Sequence, residues 1–272
     1  MNDQLPDELQ QWMDGCLAAA KAGGQTLMDW RGKFTAREKS PSDLVTDADL
    51  ASQDAVRAVL DERFPGHAFV GEERGANDTS VGDDELVWVV DPLDGTTNYV
   101  HGFPGYAVSV ALARGRELLV GVVFDPLSGE CFSAAAGCGA WLGDQRLRTS
   151  SATTVGESLF AVSLPPHVPR NAHDMVDMIA VAPLSQGIRR TGSAALNLAH
   201  VATGQIDAFW AARINAWDVA AGILLVQEAG GTITGRDGQP FDLWHPHFIA
   251  ANNPTLHAAL LELLSPFDGQ TG

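Results

Sequence analysis

Apolar residues recur at Leu9, Trp12, Met13, Cys16, Leu17 and Ala20, the spacing of one face of a helix. They predict a helix over residues 6 to about 30, with Asp7 and Glu8 where the helix dipole favours negative charge. Residues 31–42 are polar and rich in breakers, and read as a loop or a short strand pair. A second helix is predicted from 46 to about 64, stopped by Pro65-Gly66. The period then changes. Residues 68–70 and 86–90 are continuous apolar runs that suit buried strands, the second ending at Asp91. Further strands are expected at 106–113 and 118–124 around the turn Arg114-Gly115-Arg116, then a hairpin at 129–141.

The second half opens near Thr149 with a polar Ser/Thr cluster. It predicts a strand at 159–164, helices at 172–181, 194–203, 217–229 and 255–264, and short strands at 206–210, 231–234 and 247–251. Gly230-Gly231 marks a helix stop. Helices and strands alternate in both halves without repeats or long linkers. That pattern argues for an α/β or α+β class with layered sheets and leaves the topology open. The 272 residues divide into an N-terminal half, 1–148, and a C-terminal half, 149–272, each near the ~150 residues of an ordinary domain.

Composition narrows the function. Hydrophobic residues make up 45% of the chain, enough for a real core. With 17 Lys+Arg against 34 Asp+Glu the net charge is −17, which argues against nucleic acid or an anionic membrane as partner. No apolar run approaches the ~18 residues of a membrane span, and the acidic start lacks the positive region of a signal peptide. Cys16, Cys131 and Cys138 cannot pair completely, which favours a reducing compartment. A cytoplasmic protein is expected.

The acids carry the chemistry. In WVVDPLDGTTNYVHGFP, residues 88–104, a buried strand delivers Asp91 at its C-terminal end, the usual ligand edge of an α/β sheet. Asp94 follows three residues later, and Gly95-Thr96-Thr97 offers small residues whose N–H groups can open a helix and hold an anion. Taken alone this is a capped turn at a strand end. Glu72 and Glu73 end another short strand, Thr46-Asp47-Ala48-Asp49 has the form of a capping box, and Asp218 opens a helix. Each alone has an ordinary structural explanation, yet all sit at element ends, where a site can assemble. Glu72, Asp91, Asp94 and Asp218 would bring about −4 together, and two such charges about 4 Å apart repel by about 4 kcal/mol at an effective dielectric of about 20. Two divalent ions would balance them. Mg²⁺ fits, as a hard ion preferring carboxylate, water and phosphate oxygen.

These residues resemble the inositol monophosphatase family of Mg²⁺-dependent, lithium-sensitive phosphatases. The matching pieces are LVTDAD (44–49), GEE (71–73), DPLDGTTNYVHGFP (91–104), GSAALNL (192–198), WDVAAGILLVQEAGG (217–231) and AANNP (250–254). The resemblance implies a layered αβαβα fold, a homodimer, and hydrolysis of a small phosphate monoester, with inositol monophosphate the first expectation. It implies that Glu72, Asp91 and the Leu93 carbonyl hold one Mg²⁺, that Asp91, Asp94 and Asp218 hold a second, and that Glu72 helps with a weaker third. Thr96 and Asp49 would activate the attacking water, and the Gly95 and Thr96 N–H groups would meet the phosphate. Gly192, Ser193 and Ala194, with Asp94 and Asp218, would line the substrate, while Glu73 and Thr97 would support the ligands from behind.

One position departs from the pattern. Inositol-acting members usually carry a Glu seven residues before the WD aspartate, and here that place is Ala211, with Arg213 close by. Loss of a hydroxyl acceptor changes substrate preference, so histidinol phosphate, fructose 1,6-bisphosphate and 3′-phosphoadenosine 5′-phosphate are alternatives. A phosphate- or metal-binding protein without activity is the non-enzymatic one. Other signals carry less: His245 and His247 lack acidic or Cys partners at zinc spacing, Cys131 and Cys138 read as buried hairpin thiols, and no nucleophile elbow or dinucleotide fingerprint is present. Trp88 and Trp217 are expected to flank the site.

Overall fold

The apolar runs assemble into two stacked sheets with helices between and outside them. The computed structural model describes residues 5–40, 43–73, 82–164, 168–170 and 172–264. Helix α1 (Asp7–Trp30) is followed by the strands β1 (Ala36–Ser40) and β2 (Asp43–Thr46), which pair antiparallel, and by α2 (Asp47–Arg63). Residues 41–42 of the expected strand pair lie outside the described residues. A seven-stranded sheet follows in chain order: β3 (Ala68–Gly71), β4 (Leu86–Asp94), β5 (Ala107–Arg114), β6 (Glu117–Phe124), β7 (Cys131–Ala135), β8 (Gly139–Leu142) and β9 (Gln145–Arg146). Only β3 and β4 are parallel in it. The short α3 (Thr96–His101) interrupts the chain between β4 and β5.

The second half gives β10 (Leu159–Val162), α4 (His173–Val181), β11 (Gly187–Arg189), α5 (Ala194–Ala202), β12 (Ala208–Ala211), α6 (Ala216–Glu228), β13 (Thr232–Gly235), β14 (Phe248–Ala251) and α7 (Pro254–Leu263). Its five strands are ordered β11-β10-β12-β14-β13, with β11, β10 and β12 parallel. Helices α1 and α2 cover one face of the larger sheet, α5 and α6 fill the space between the sheets, and α4 and α7 lie outside the smaller sheet. The layers therefore run αβαβα.

Burial explains this placement. Helix α6 reads AWDVAAGILLVQE and is buried on nearly every side, the pattern of a helix wrapped by protein. Close packing around it needs two glycines. A Cβ on Gly222 would stand 2.5 Å from the Leu198 Cβ of α5, and one on Gly121 would stand 2.9 Å from the Ala221 Cα. Strand β4 is buried on both faces: Val87 and Val89 join the central core, while Trp88 and Val90 join the core under α1 and α2. The thiols at Cys131 and Cys138 are half-buried, not buried as expected, because each sits at an end of the hairpin rather than inside it.

Candidate active site

Strand parity aims the first carboxylate. Val87 and Val89 face the central helices, so Asp91 continues that side of β4, towards α6. Opposite it on β5, the Ser109 hydroxyl donates to the Trp217 carbonyl of α6 at 3.3 Å. The strand does not end at Asp91 but runs on to Asp94, with a register shift between them, the mark of a bulge that re-aims side chains. Asp91 Oδ1 accepts the Leu93 N–H at 2.9 Å. Gly95 then takes φ +96°, and a Cβ there would meet the Gly105 carbonyl at 2.9 Å. Only glycine allows α3 to begin this abruptly.

Four helix starts converge on this point, each presenting its positive end. On α2, Asp49 divides its carboxylate: Oδ2 accepts the Thr46 N–H at 2.8 Å and the Thr46 hydroxyl at 2.5 Å, while Oδ1 accepts the Thr96 hydroxyl at 3.0 Å. The capping box and the site share one residue. On α6, Asp218 does likewise, its Oδ2 accepting the Asn215 N–H at 2.8 Å. Asp94 reaches the start of α5, accepting the Ser193 hydroxyl at 2.5 Å and the Ala194 and Ala195 N–H groups at 3.2 and 2.7 Å. Glu72, just past β3, lines the same cleft.

Ligand atoms of Asp91, Asp94 and Asp218 all lie within 4.8 Å of one another. Burial, followed by the charges of Glu72, Asp94 and Asp218, pushes the Asp91 carboxyl well above the usual range. Burial raises Asp94 to about 6 against the pull of Ser193 and the α5 N–H groups. Asp218 is raised to about 8 by burial and then by Glu72 and Asp94. Asp49 is raised to about 6, mainly by burial. The cluster thus demands protons or cations, and its donors are all oxygen, which suits a hard divalent ion better than zinc or copper.

Eleven of the residues singled out by sequence line one cleft of about 560 Å³: Glu72, Asp91, Leu93, Asp94, Gly95, Thr96, Thr97, Gly192, Ser193, Ala194 and Asp218. Asp49 stands behind Thr96. Glu73 is buried, and its backbone exchanges two hydrogen bonds with the Gln53 amide, at 2.6 and 2.9 Å. Ala211 is fully buried in the central core, whereas Arg213 lines the cleft. Trp88 does not flank the cleft: strand alternation turns it to the other face, beside Phe64 and His67. His245 and His247 take separate partners, Asp242 and the Arg236 N–H.

Three supports were missed. Ser52 donates to the Pro92 carbonyl at 2.8 Å, Gln53 holds the Glu72–Glu73 segment, and the Asn98 amide donates to the Gly105 and Thr191 carbonyls at 2.6 and 2.9 Å. Ser52 and Gln53 follow Asp49 by three and four residues, hence on its helix face; that spacing is the signal that could have found them.

Comparison with known proteins agrees with this geometry. The sequence model of the inositol monophosphatase family matches residues 8–266. An inositol-1-monophosphatase of Mesorhizobium japonicum is 39% identical over 249 residues, 90% of this chain and 92% of that protein. The Nus factor SuhB of Pseudomonas aeruginosa is 37% identical over 258 residues, 93% of this chain and 95% of its own. Among solved structures, the inositol monophosphatase of an Anabaena species superposes with a TM-score of 0.84 at 33% identity, over 97% of this chain and all of that one. The chain therefore belongs to the inositol monophosphatase family, whose members are phosphomonoesterases.

Proposed function

We propose that the protein is a Mg²⁺-dependent phosphomonoesterase acting on a small phosphorylated metabolite. The carrying observation is the meeting of Asp91, Asp94 and Asp218 within 4.8 Å, with the Thr96–Asp49 hydrogen bond at their edge. Those three carboxylates, with Glu72 and the Leu93 carbonyl, would hold two or three Mg²⁺ ions. Bound there, Mg²⁺ would offset the charge of the phosphate oxygens and lower the pKa of a nearby water.

The remaining work falls to the chain. Thr96 has one hydroxyl proton and two acceptors, Asp49 Oδ1 at 3.0 Å and the Leu93 carbonyl at 3.1 Å. While it donates to Asp49, its oxygen can accept a hydrogen bond from a water in the cleft. Proton transfer from that water to Thr96, and from Thr96 to Asp49, leaves hydroxide to attack phosphorus. Burial raises the Asp49 carboxyl above its ordinary range, the direction that suits a general base near neutral pH. The N–H groups of Gly95 and Thr96 would meet the entering phosphate, with Gly192, Ser193 and Ala194 lining the same cleft. A protein that merely held phosphate would need no such relay, which favours the enzyme over a binding protein.

The names of the relatives make inositol monophosphate the first ester to test, with inhibition by Li⁺ as an accompanying property. Phosphate release should require Mg²⁺ and stop on chelation; undiminished hydrolysis in excess EDTA refutes the assignment. We also propose a homodimer, supported by the exposed apolar side chains of Val176 and Ile179 on α4 and Leu184 just after it. Sedimentation as a monomer at micromolar concentration would refute it. A reducing, cytoplasmic setting is proposed on three free thiols; among the described residues no helix is long and apolar enough to cross a membrane.

A further inference from the structure

The cleft extends past its acidic end. The carboxylates come from the larger sheet and the helix starts, but the opposite wall belongs to the smaller sheet. There β11, β10 and β12 run parallel, so their C-terminal ends share one edge, the usual place for a ligand in such a sheet. Arg190 follows β11, Ser163 follows β10, and Arg213 lies two residues beyond β12; all three line the cleft. In a chain of net charge −17, two guanidiniums share this wall.

Arg190 Nη2 donates to the Leu164 carbonyl at 3.4 Å. Beneath Arg213, the buried Asp174 carboxylate accepts the Ala212 N–H at 3.0 Å and pairs with Arg236. Asp174 also feels the charge of Arg213. The chemistry of the wall follows. A guanidinium offers donors in a planar fork and no acceptor, which matches carboxylate and phosphate. A polyol hydroxyl needs an acceptor as well, and at Ala211 the sheet supplies a buried methyl.

We propose that this wall receives a second anionic group, phosphate or carboxylate, carried by the same substrate, with Arg190 and Arg213 as its receptors. The substrate is then a bisphosphate or a phosphorylated acid rather than a neutral polyol phosphate. This rests on the phosphomonoesterase reading. Its test compares matched esters in Mg²⁺: fructose 1,6-bisphosphate against fructose 1-phosphate, and 2-phosphoglycerate against glycerol 2-phosphate. The wild-type protein should show a kcat/KM about tenfold or more higher for the doubly anionic member of at least one pair, and the pair that shows it identifies the second anion. In Arg190→Ala/Arg213→Ala that ratio should fall by about tenfold or more, the range for hydrogen bonds to charged groups, with Arg213→Lys intermediate. A ratio near one in the wild type, or one unmoved in the double variant, overturns the proposal while leaving the phosphatase intact. Absence of phosphate release from every ester would overturn the underlying phosphatase reading instead.

Discussion

At Asp49 the two carboxylate oxygens do different work, one closing the cap of α2 and the other receiving Thr96. The substitution Asp49→Asn separates these tasks, because an amide oxygen can still accept the Thr46 N–H but an amide cannot take up a proton. Turnover should fall by about 10²–10⁴, the usual worth of a general base, with KM changed several-fold at most and the melting temperature nearly unchanged. Steady-state kinetics beside a thermal melt decides it; a large loss of stability would mean the cap is the main role. Asp91→Asn has a different signature. It replaces a buried carboxyl that resists ionisation with a neutral amide, so turnover should drop by about 10² or more while the metal-free protein melts no lower than wild type. The acids were legible in the sequence because a cap and an ion site both want short carboxylates at element ends. Asn98 was not, since an amide in so short a helix carries no pattern until its distant carbonyl partners are known, and Ser52 and Gln53 show only through their spacing from Asp49 on one helix face.

Element by element, the long periodic helices and the doubly buried strands were read from sequence to within a few residues. The two shortest strands were not. Strand β11 has three half-buried or exposed residues and β9 only two, too few for alternation to register. The extension of β4 through Asp94 also escaped notice, because a bulge depends on the partner strand, here β5. Helix α6 ties this scale to function, carrying Asp218 in its first turn and packing through Gly222 against α5, whose start holds Asp94. Gly222→Ala would force a Cβ to 2.5 Å from Leu198, and overpacking of this kind costs about 1–3 kcal/mol. Because the strain pushes α5 from α6, urea unfolding should show that loss together with weakened Mg²⁺ activation. Lost stability with wild-type activation would show that the two helix starts tolerate displacement.

Across the whole molecule, the acidic centre sets how stability responds to pH. An acid whose folded pKa exceeds its ordinary value of 3.8 binds its proton more tightly in the native state. Between the two values the native state carries more protons than the unfolded chain, so stability falls as pH rises through that window. For Asp49, Asp94 and Asp174 the window runs from 3.8 to about 6, and for Asp218 it reaches about 8. Asp91 shifts in the same direction. The metal-stripped protein should therefore melt several degrees higher near pH 5.5 than near pH 8. A cation must displace these protons to bind, so Mg²⁺ competes poorly at the lower pH and well at the higher one. Added Mg²⁺ should raise the melting temperature far more at pH 8 than at pH 5.5, reversing or erasing the pH preference of the stripped protein. Scanning calorimetry in EDTA and in Mg²⁺ at both pH values tests this directly. A Mg²⁺ effect equal at the two pH values would mean that protons and metal do not share these carboxylates, and that the ions bind elsewhere.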